Sequence, residues 1–240
     1  MTSWAPVSVH AMHSPALSEL SPLLQHHPLG ASTGYMVDRR GDWPTLIEEA
    51  VSVSSFAVEL AALSEDELPS LLDYLASGPA LPFRYVSVHG PSKDRWMPES
   101  ELVAMLADVP PFVDAVVLHP DHIDHAPAYA PLGSRLVIEN MDMRKETGRT
   151  VDELGPVFDA LPEAGFCFDV AHAWSIDSTM QVGHHLLNRF APRLRHLHVS
   201  SVTGDCRHEP LTVEHEALFA PLLARCRDVP WILEAPIRET

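Results

Sequence analysis

Short apolar runs alternate along this chain with longer stretches in which apolar residues recur three and four positions apart. The longer stretches, such as WPTLIEEAVSV, EDELPSLLDYLAS and TVDELGPVFDAL, predict amphipathic helices. The short runs predict eight strands, at residues 6–12, 55–63, 84–90, 114–120, 135–141, 165–172, 194–201 and 230–236. Because continuous apolar runs separated by helices are typical of parallel βαβ units, the pattern favours an α/β protein with a parallel sheet.

Eight such units in 240 residues predict a single (β/α)8 TIM barrel, with residues 1–240 as one domain, over an open doubly wound sheet. Residues 13–42 are predicted to form a long loop or lid between the first strand and its helix. The sequence runs only six residues beyond Glu234, so we expect a barrel without its usual last helix. A partner subunit in a homo-oligomer, or the long first loop, would then cover the exposed flank.

Residues that can bind a metal end seven of the eight predicted strands: His10, His89, His119, Glu139, Asp169, His198 and Glu234. The second strand carries Glu59 nearer its middle. The carboxyl ends of the strands meet at one mouth of such a barrel, where barrel enzymes place their chemistry. Buried carboxylates are costly unless a cation or hydrogen bonds compensate them, and isolated caps have no reason to recur strand after strand. The pattern therefore predicts a metal site at this mouth.

The stretch HPDHIDH, residues 119–125, offers a competing metal motif. His122, Asp124 and His125 fit part of the H-x-H-x-D-H signature of metallo-β-lactamase-type hydrolases, but Pro120 stands where its first histidine belongs. Nothing else in the chain supports that hypothesis. We expect His119, which closes the fourth strand, to be the ligand. His122 and His125 are expected at the start of the next helix, exposed or supporting the site indirectly.

The net charge bears on the partners of the protein, and the cysteines bear on its compartment. Lys and Arg total 16 against 33 Asp and Glu, a net charge of −17, which disfavours nucleic acid and anionic membranes. Three unpatterned cysteines indicate a reducing compartment without a disulfide framework. No signal-peptide pattern and no run of 18 apolar residues occurs, so we predict a soluble, cytoplasmic protein.

Basic residues in the predicted mouth loops are interleaved with acidic ones. The basic set is Arg39, Arg40, Lys93, Arg95, Arg144, Lys145 and Arg207. These side chains could clamp a phosphate or a carboxylate. Because the same loops carry as many carboxylates, solvated loop charge is the favoured interpretation.

Seven motifs within residues 84–236 resemble the xylose isomerase-like, AP endonuclease family 2 TIM-barrel superfamily, and within it the endonuclease IV arrangement: VSVHGP, VVLHP, VIEN, FDVAH, HLHVSS, DCRHEPL and ILEAP. The resemblance to sugar isomerases and epimerases implies a one-metal core of Glu139, Asp169, His198 and Glu234. The resemblance to endonuclease IV adds ligands for up to three metals: His89, His119, His172, Asp205 and His208.

One part of that resemblance is imperfect. The family pattern has Asp-x-His on the loop after the seventh strand, whereas this chain has Asp-Cys-Arg-His, one residue longer. Three alternatives follow: Asp205 reaches across to His208's metal, Cys206 takes its place, or the third metal is weak or absent.

Mixed imidazole and carboxylate ligands favour zinc, manganese or iron over magnesium or calcium, at one to three ions per chain. The leading prediction is a multinuclear metal-dependent hydrolase of a phosphoester-like bond in a small, anionic substrate, with Glu139, Glu234 and His172 as catalytic candidates. One alternative is a mononuclear sugar or sugar-phosphate isomerase or epimerase, with Glu139 and Glu234 as proton-transfer bases. The others are a multinuclear non-haem iron oxidase and a non-catalytic binding module.

Overall fold

Eight parallel strands close into a barrel, which confirms the predicted TIM barrel. The structure is a computed structural model, and it describes Leu24, residues 27–93 and residues 95–237. The barrel strands are β1 Leu29–Ser32, β2 Ala57–Ala61, β3 Tyr85–His89, β4 Ala115–Leu118, β5 Leu136–Glu139, β6 Gly165–Asp169, β7 Leu194–Val199 and β10 Trp231–Leu233. They pair around the barrel in the order β1-β10-β7-β6-β5-β4-β3-β2. Two short antiparallel strands, β8 Ser201–Val202 and β9 His208–Glu209, form a separate ribbon after β7.

Helices cover the outside of the barrel. They are α1 Trp43–Val53, α2 Glu67–Ala76, α3 Glu99–Ala107, α4 Val151–Ala160, α5 Val170–Ile176, α6 Gln181–Phe190 and α7 Val213–Leu223. Their apolar faces pack on the strands, as the predicted amphipathic pattern requires. No helix among these described segments is long and apolar enough to cross a membrane.

The first barrel strand lies elsewhere than predicted. Residues 6–12, predicted as this strand, lie outside the described residues. Instead β1 comes from residues 29–32, LGAS, inside the predicted loop of 13–42, and it pairs with β10 and β2. The loop prediction is therefore wrong for this segment. The run is short and has no β-branched residue, so it lacks the usual signal of a strand.

Close packing explains the small residues of β1. A Cβ atom on Gly30 would lie 2.7 Å from Cβ of Ala57 and 2.7 Å from Cδ1 of Ile232. Only a residue without a side chain fits between these neighbours. The same requirement that makes LGAS suitable for the barrel makes it look like a loop in the sequence.

The connection from β4 to β5 also differs from the prediction of a helix. It consists of 3-10 turns at Pro120–His122 and Ala126–Arg135. Three prolines interrupt the segment, and Gly133 has a φ of 56°, so no regular α-helix can run through it. His122 therefore ends a turn and is buried, whereas His125 is exposed.

The barrel interior has an apolar floor below a polar upper part. The floor is formed by Ala57, Tyr85, Ala115, Val117, Val137, Cys167 and Ile232. Cys167 is a free, buried thiol there, as expected of a packing residue. Within the described residues, which end at Ile237, no helix follows β10.

Candidate metal centre

Glu139, at the carboxyl end of β5, lies at the centre of a cluster of imidazoles. Its Oε2 lies 3.2 Å from Nε2 of His89 and 3.2 Å from Nε2 of His119. Its Oε1 lies 3.2 Å from Nδ1 of His172 and 3.2 Å from Nδ1 of His198. One buried carboxylate therefore touches four histidines from four different parts of the chain.

Asp169 ends β6 and caps the helix that follows it. Its Oδ1 accepts a hydrogen bond of 2.7 Å from the backbone N–H of His172, as an N-cap residue does. Asn140 holds the backbone of Asp169 with two hydrogen bonds, of 2.9 and 3.0 Å. The cap thus fixes Asp169 and His172 together, and Oδ2 of Asp169 lies 3.5 Å from Nδ1 of His172.

Glu234 and His208 complete the mouth from the other side. Oε1 of Glu234 lies 3.3 Å from Nδ1 of His198, and its Oε2 lies 3.3 Å from Nδ1 of His208. The short ribbon of β8 and β9 carries His208, and Oγ of Ser200 lies 2.7 Å from its Nδ1. The ribbon therefore brings His208 back over the barrel mouth.

The possible ligand atoms fall into overlapping groups, in each of which all atoms lie within 4.8 Å of one another. At the mouth, these groups are His89–His119–Glu139, Glu139–Asp169–His198, Asp169–His172–His208 and Glu59–His198–Glu234. Glu139 and Asp169 each belong to two of them. Shared carboxylates are the arrangement that lets neighbouring ions lie about 3.5–4 Å apart.

Unpaired buried atoms test whether these residues suit metal ions. Among the described residues, Oδ2 of Asp169, Oε2 of Glu234 and Nδ1 of His119 are buried without a hydrogen-bond partner. The 3.3 Å contact of Glu234 with His208 lacks hydrogen-bond geometry. Buried polar atoms are rarely left unpaired, and carboxylate oxygens aimed into a cluster of imidazoles are suitable ligands for a cation. The residues therefore fit divalent ions that accept both nitrogen and oxygen ligands.

The pKa values of the two glutamates of the cluster are shifted in opposite directions. Burial by itself would raise the pKa of Glu139, but His198 and His119 hold that pKa well below its ordinary value. Burial raises the pKa of Glu234 well above its ordinary value, and the negative charges of Asp169 and Glu139 add to this although His198 opposes it. Without a cation, the surroundings thus favour the ionised form of Glu139 and the protonated form of Glu234.

The histidines divide in the same way. Burial lowers the pKa of His119 and of His208 to about 4 each, so both rings are neutral at pH 7. Burial also opposes the charging of His172, but Asp169 and Glu139 raise its pKa to about 10. The cluster thus contains neutral rings ready to act as ligands and a charged ring that takes the place of a cation.

Asp205, which was predicted as a ligand, lies away from this cluster and belongs to none of the ligand groups in the described residues. Its side chain is exposed, Nε of Arg207 lies 2.9 Å from its Oδ2, and the hydroxyl of Thr203 donates to its Oδ1. Within Asp-Cys-Arg-His this carboxylate is therefore directed toward solvent. Cys206 is buried against Ala171 and Val202, and it belongs to none of the ligand groups in the described part of the chain.

Glu59 is the residue that the sequence reasoning undervalued. It lies on β2 and is completely buried, and its Oε1 lies 3.1 Å from Nε2 of His198. The signal in the sequence was a single charged residue within the apolar run FAVELAAL. His10, predicted at the end of the first strand, lies outside the described residues.

The HPDHIDH stretch contributes His119 to the ligand groups, and neither His122 nor His125 belongs to one in the described residues. Both oxygens of Asp124 accept hydrogen bonds from Arg95, at 3.0 and 2.8 Å. The metallo-β-lactamase hypothesis therefore gains no support from the geometry.

Five of the seven basic side chains predicted at the mouth are paired closely with carboxylates. The pairs are Arg40 with Glu67, Arg95 with Asp124, Arg144 with Asp142, Lys145 with Asp121 and Arg207 with Asp205, at 2.5–2.9 Å. A guanidinium or ammonium group that is already paired with a carboxylate attracts a further anion less strongly. The geometry favours loop stabilisation over a phosphate clamp.

Comparison with known proteins supports the fold and the resemblance. The family model of the xylose isomerase-like TIM barrel matches residues 121–239, which confirms the similarity that the sequence motifs indicated. No curated protein matches the chain significantly.

Among solved structures, endonuclease IV from Thermus thermophilus is 23% identical with a TM-score of 0.54, over 81% of this chain and 87% of that one. AP endonuclease, family 2, from Brucella melitensis is 14% identical with a TM-score of 0.56, over 89% and 95%. The 3-keto-D-glucoside 4-epimerase from E. coli is 13% identical with a TM-score of 0.54, over 89% and 93%. At these identities the structures show a shared fold, and that fold carries both endonucleases and an epimerase.

Proposed function

We propose that this chain is a multinuclear metal-dependent enzyme that hydrolyses a phosphoester-like bond in a small substrate, with zinc, manganese or iron as its ions. The observation that carries the proposal is the position of Glu139, which touches four histidines at 3.2 Å. A one-metal site of Glu139, Asp169, His198 and Glu234 would leave the remaining histidines of the mouth, His89, His119, His172 and His208, without a function. Two or three ions sharing Glu139 and Asp169 would use them all.

The bound ions would supply Lewis acidity for water and for the electrophile. The chain itself holds its ligands rigidly, because Glu139, Asp169 and His198 are on barrel strands and are almost completely buried. His208 is partly exposed at the edge of the cluster and is neutral at pH 7. It could therefore serve as a ligand without first losing a proton.

The charges of the loops around the mouth favour a small substrate over a long polyanion. Five of the seven basic side chains predicted for these loops are already paired closely with carboxylates, so an anionic group would be held mainly by the ions of the cluster. The net charge of −17 also opposes a long polyanion such as DNA. A small phosphoester meets both conditions.

Elemental analysis of protein purified without chelator tests the proposal directly. We expect two or three transition-metal ions per chain and turnover of bis(4-nitrophenyl) phosphate. The double variant His89→Ala/His119→Ala should lose one ion and most of this turnover, whereas His125→Ala, at an exposed position, should match the wild type. One ion or fewer in the wild type would contradict the multinuclear proposal.

An isomerase or epimerase is the second candidate, and one observation favours it. Oxygens of Glu139 and Glu234 lie 3.2 and 3.3 Å from the same nitrogen of His198, and the pKa values of the two carboxyl groups are shifted in opposite directions. Such a pair could remove a proton from a sugar carbon and return it. Exchange of substrate C–H hydrogen with deuterium from the solvent, retained in the His89→Ala/His119→Ala variant, would favour this candidate over the hydrolase.

The iron oxidase and the non-catalytic module share the same ligand groups. An oxidase would be coloured when loaded with iron and would consume oxygen. A binding module would bind metal without turnover. The same elemental analysis, followed by aerobic and anaerobic assays, separates these cases.

A further inference from the structure

Glu59 is a fully buried carboxylate one level below the mouth of the barrel. It pairs in register with Ser32 of β1 and Ser87 of β3. Ser87 donates a hydrogen bond of 3.0 Å to its Oε2, and Ser32 donates a weak one of 3.5 Å to its Oε1. These hydroxyls restrict the carboxylate to one orientation. An ionised group at such a position is costly unless its remaining lone pairs are used.

The remaining lone pairs of Glu59 face His198. Nε2 of His198 lies 3.1 Å from Oε1 of Glu59 and 3.2 Å from its Oε2. The other ring nitrogen, Nδ1, lies 3.2 Å from Glu139 and 3.3 Å from Glu234. The two sides of this imidazole therefore face different partners: Nδ1 faces the proposed metal ligands, and Nε2 faces Glu59.

We propose that Glu59 is a positioning residue that fixes the tautomer and the ring orientation of His198. A neutral imidazole carries one N–H, and a ring nitrogen can bind a metal only when it carries no hydrogen. An acceptor at Nε2 keeps the hydrogen there and leaves Nδ1 free toward the cluster. This inference rests on the proposed metal site, and it adds a strand, β2, that none of the predicted ligands occupies.

A direct ligand role for Glu59 is less consistent with the geometry. The two nitrogens point from opposite sides of the imidazole ring, so an ion on the Nδ1 side lies away from Glu59. An ion on the Nε2 side, between Glu59 and Glu234, would leave Nδ1 of His198 facing Glu139 without a function. Carboxylates that accept from the outer nitrogen of a ligating histidine are a common support of metal sites.

His196 provides a reference within the same buried layer. Its Nδ1 lies 2.8 Å from the hydroxyl of Tyr85, and its Nε2 lies 3.5 Å from Glu59 without a hydrogen bond among the described residues. Tyr85 is buried as well, but no contact joins it to His198 in the described structure. Tyr85→Phe therefore perturbs the same polar layer and leaves the contact between Glu59 and His198 intact.

The test measures Zn²⁺ affinity by competition with a chelator in wild type, Glu59→Gln, Glu59→Asp, Glu59→Leu and the control Tyr85→Phe. The Gln variant can still accept from Nε2–H through its amide oxygen, so it should keep the full number of ions and bind them within about 10-fold of the wild type. The Asp variant keeps the negative charge, but its shorter side chain does not reach Nε2 of His198. Both Asp and Leu should weaken binding about 10- to 100-fold. Tyr85→Phe should bind as the wild type does.

A tautomer measurement separates positioning from a structural effect. In zinc-loaded, ¹⁵N-labelled protein, long-range ¹H–¹⁵N spectra should show His198 with its hydrogen on Nε2 in the wild type and in Glu59→Gln. They should show a mixed or reversed tautomer in Glu59→Asp, which also serves if Glu59→Leu does not fold. Thermal melting without metal reports general destabilisation in each variant.

Three results would overturn the inference. Wild-type affinity together with an unchanged tautomer in Glu59→Asp would show that Glu59 does not orient the ring. Loss of one whole ion in Glu59→Gln would identify Glu59 as a direct ligand. A wild-type protein that takes up no Zn²⁺ would remove the proposed function and this inference together, whereas the first two results leave the proposed function intact.

Discussion

Glu139 and Glu234 should respond in opposite ways to the same isosteric change when metal is absent. Glu139 is ionised and contacts four imidazoles at 3.2 Å. Glu139→Gln removes that charge and turns an NH₂ group toward rings that faced an oxygen. Breaking a buried charged contact by removing one partner costs about 3–5 kcal/mol. For a domain of this size that corresponds to roughly 6–20 °C in melting temperature.

Glu234 should behave differently because burial and the charges of Asp169 and Glu139 raise its pKa well above the ordinary value, which favours its protonated form in the metal-free protein. The glutamine of Glu234→Gln matches that protonated form in shape and charge, so the unfolding free energy should change by no more than about 1 kcal/mol. With zinc present the difference should disappear, because each variant lacks a carboxylate ligand. Both should then lose most of the stabilisation that zinc gives the wild type.

Urea unfolding followed by circular dichroism, with EDTA and with Zn²⁺, measures both effects. His125→Ala is the control, because His125 is exposed and lies outside the ligand groups of the described residues. Equal destabilisation of the two glutamine variants in EDTA would refute the assignment of charge within the cluster. Full stabilisation by zinc in either variant would refute the placement of the metal site.

Three further predictions concern other parts of the chain. Gly30→Ala should destabilise the protein by about 1–3 kcal/mol in urea unfolding, because its Cβ would meet two side chains at 2.7 Å, whereas Gly204→Ala, with no atom within 4 Å, should be nearly neutral. Burial lowers the pKa of His27 to about 4. Between pH 6.5 and pH 4 the unfolded chain therefore binds one proton more than the folded protein, and stability decreases as the pH is lowered through that window. Relative to a His27→Gln variant, the wild type should lose about 2 kcal/mol between pH 8 and pH 5, and an NMR-derived pKa near 6.5 for His27 would contradict this. Asp205→Ala should keep its metal content by elemental analysis, whereas Asp169→Asn should lose at least one ion; the reverse order would restore Asp205 as a ligand.

The barrel could be predicted because its strands from β2 onward are continuous apolar runs that carry their own signal. Residues 55–63, predicted as a strand, contain β2 at Ala57–Ala61, and the later strands agree in the same way. β1 could not be predicted, because the suitability of LGAS for a barrel strand depends on contacts with residues far away in the sequence. Gly30 is required by Ala57 and Ile232, and neither contact leaves a local pattern.

The predicted ligands came together wherever a strand end fixed the direction of the side chain. Glu139 and Asp169 are the last residues of β5 and β6, and His198 is the last but one of β7; barrel closure brings all three into contact. Asp205 lies on a turn, where one additional residue reverses the direction of a side chain, and its interaction with Arg207 could not be anticipated from spacing. A position at a strand end therefore predicts where the side chain of a candidate ligand lies better than spacing on a turn does.

Glu59 is a functional candidate that an inspection of strand ends alone would miss. It lies two residues before the end of β2, deeper in the barrel than the strand ends, where side chains are expected only to pack. A glutamate is long enough to extend from this level to Nε2 of His198, and the serines beside it provide the hydrogen bonds that make its burial tolerable. A charged residue in an apolar barrel strand, flanked on the neighbouring strands by small hydroxyl residues, therefore indicates a support for the level above it. In this chain that signal was present in the sequence at Ser32, Glu59 and Ser87, but only the strand register shows that the three lie side by side.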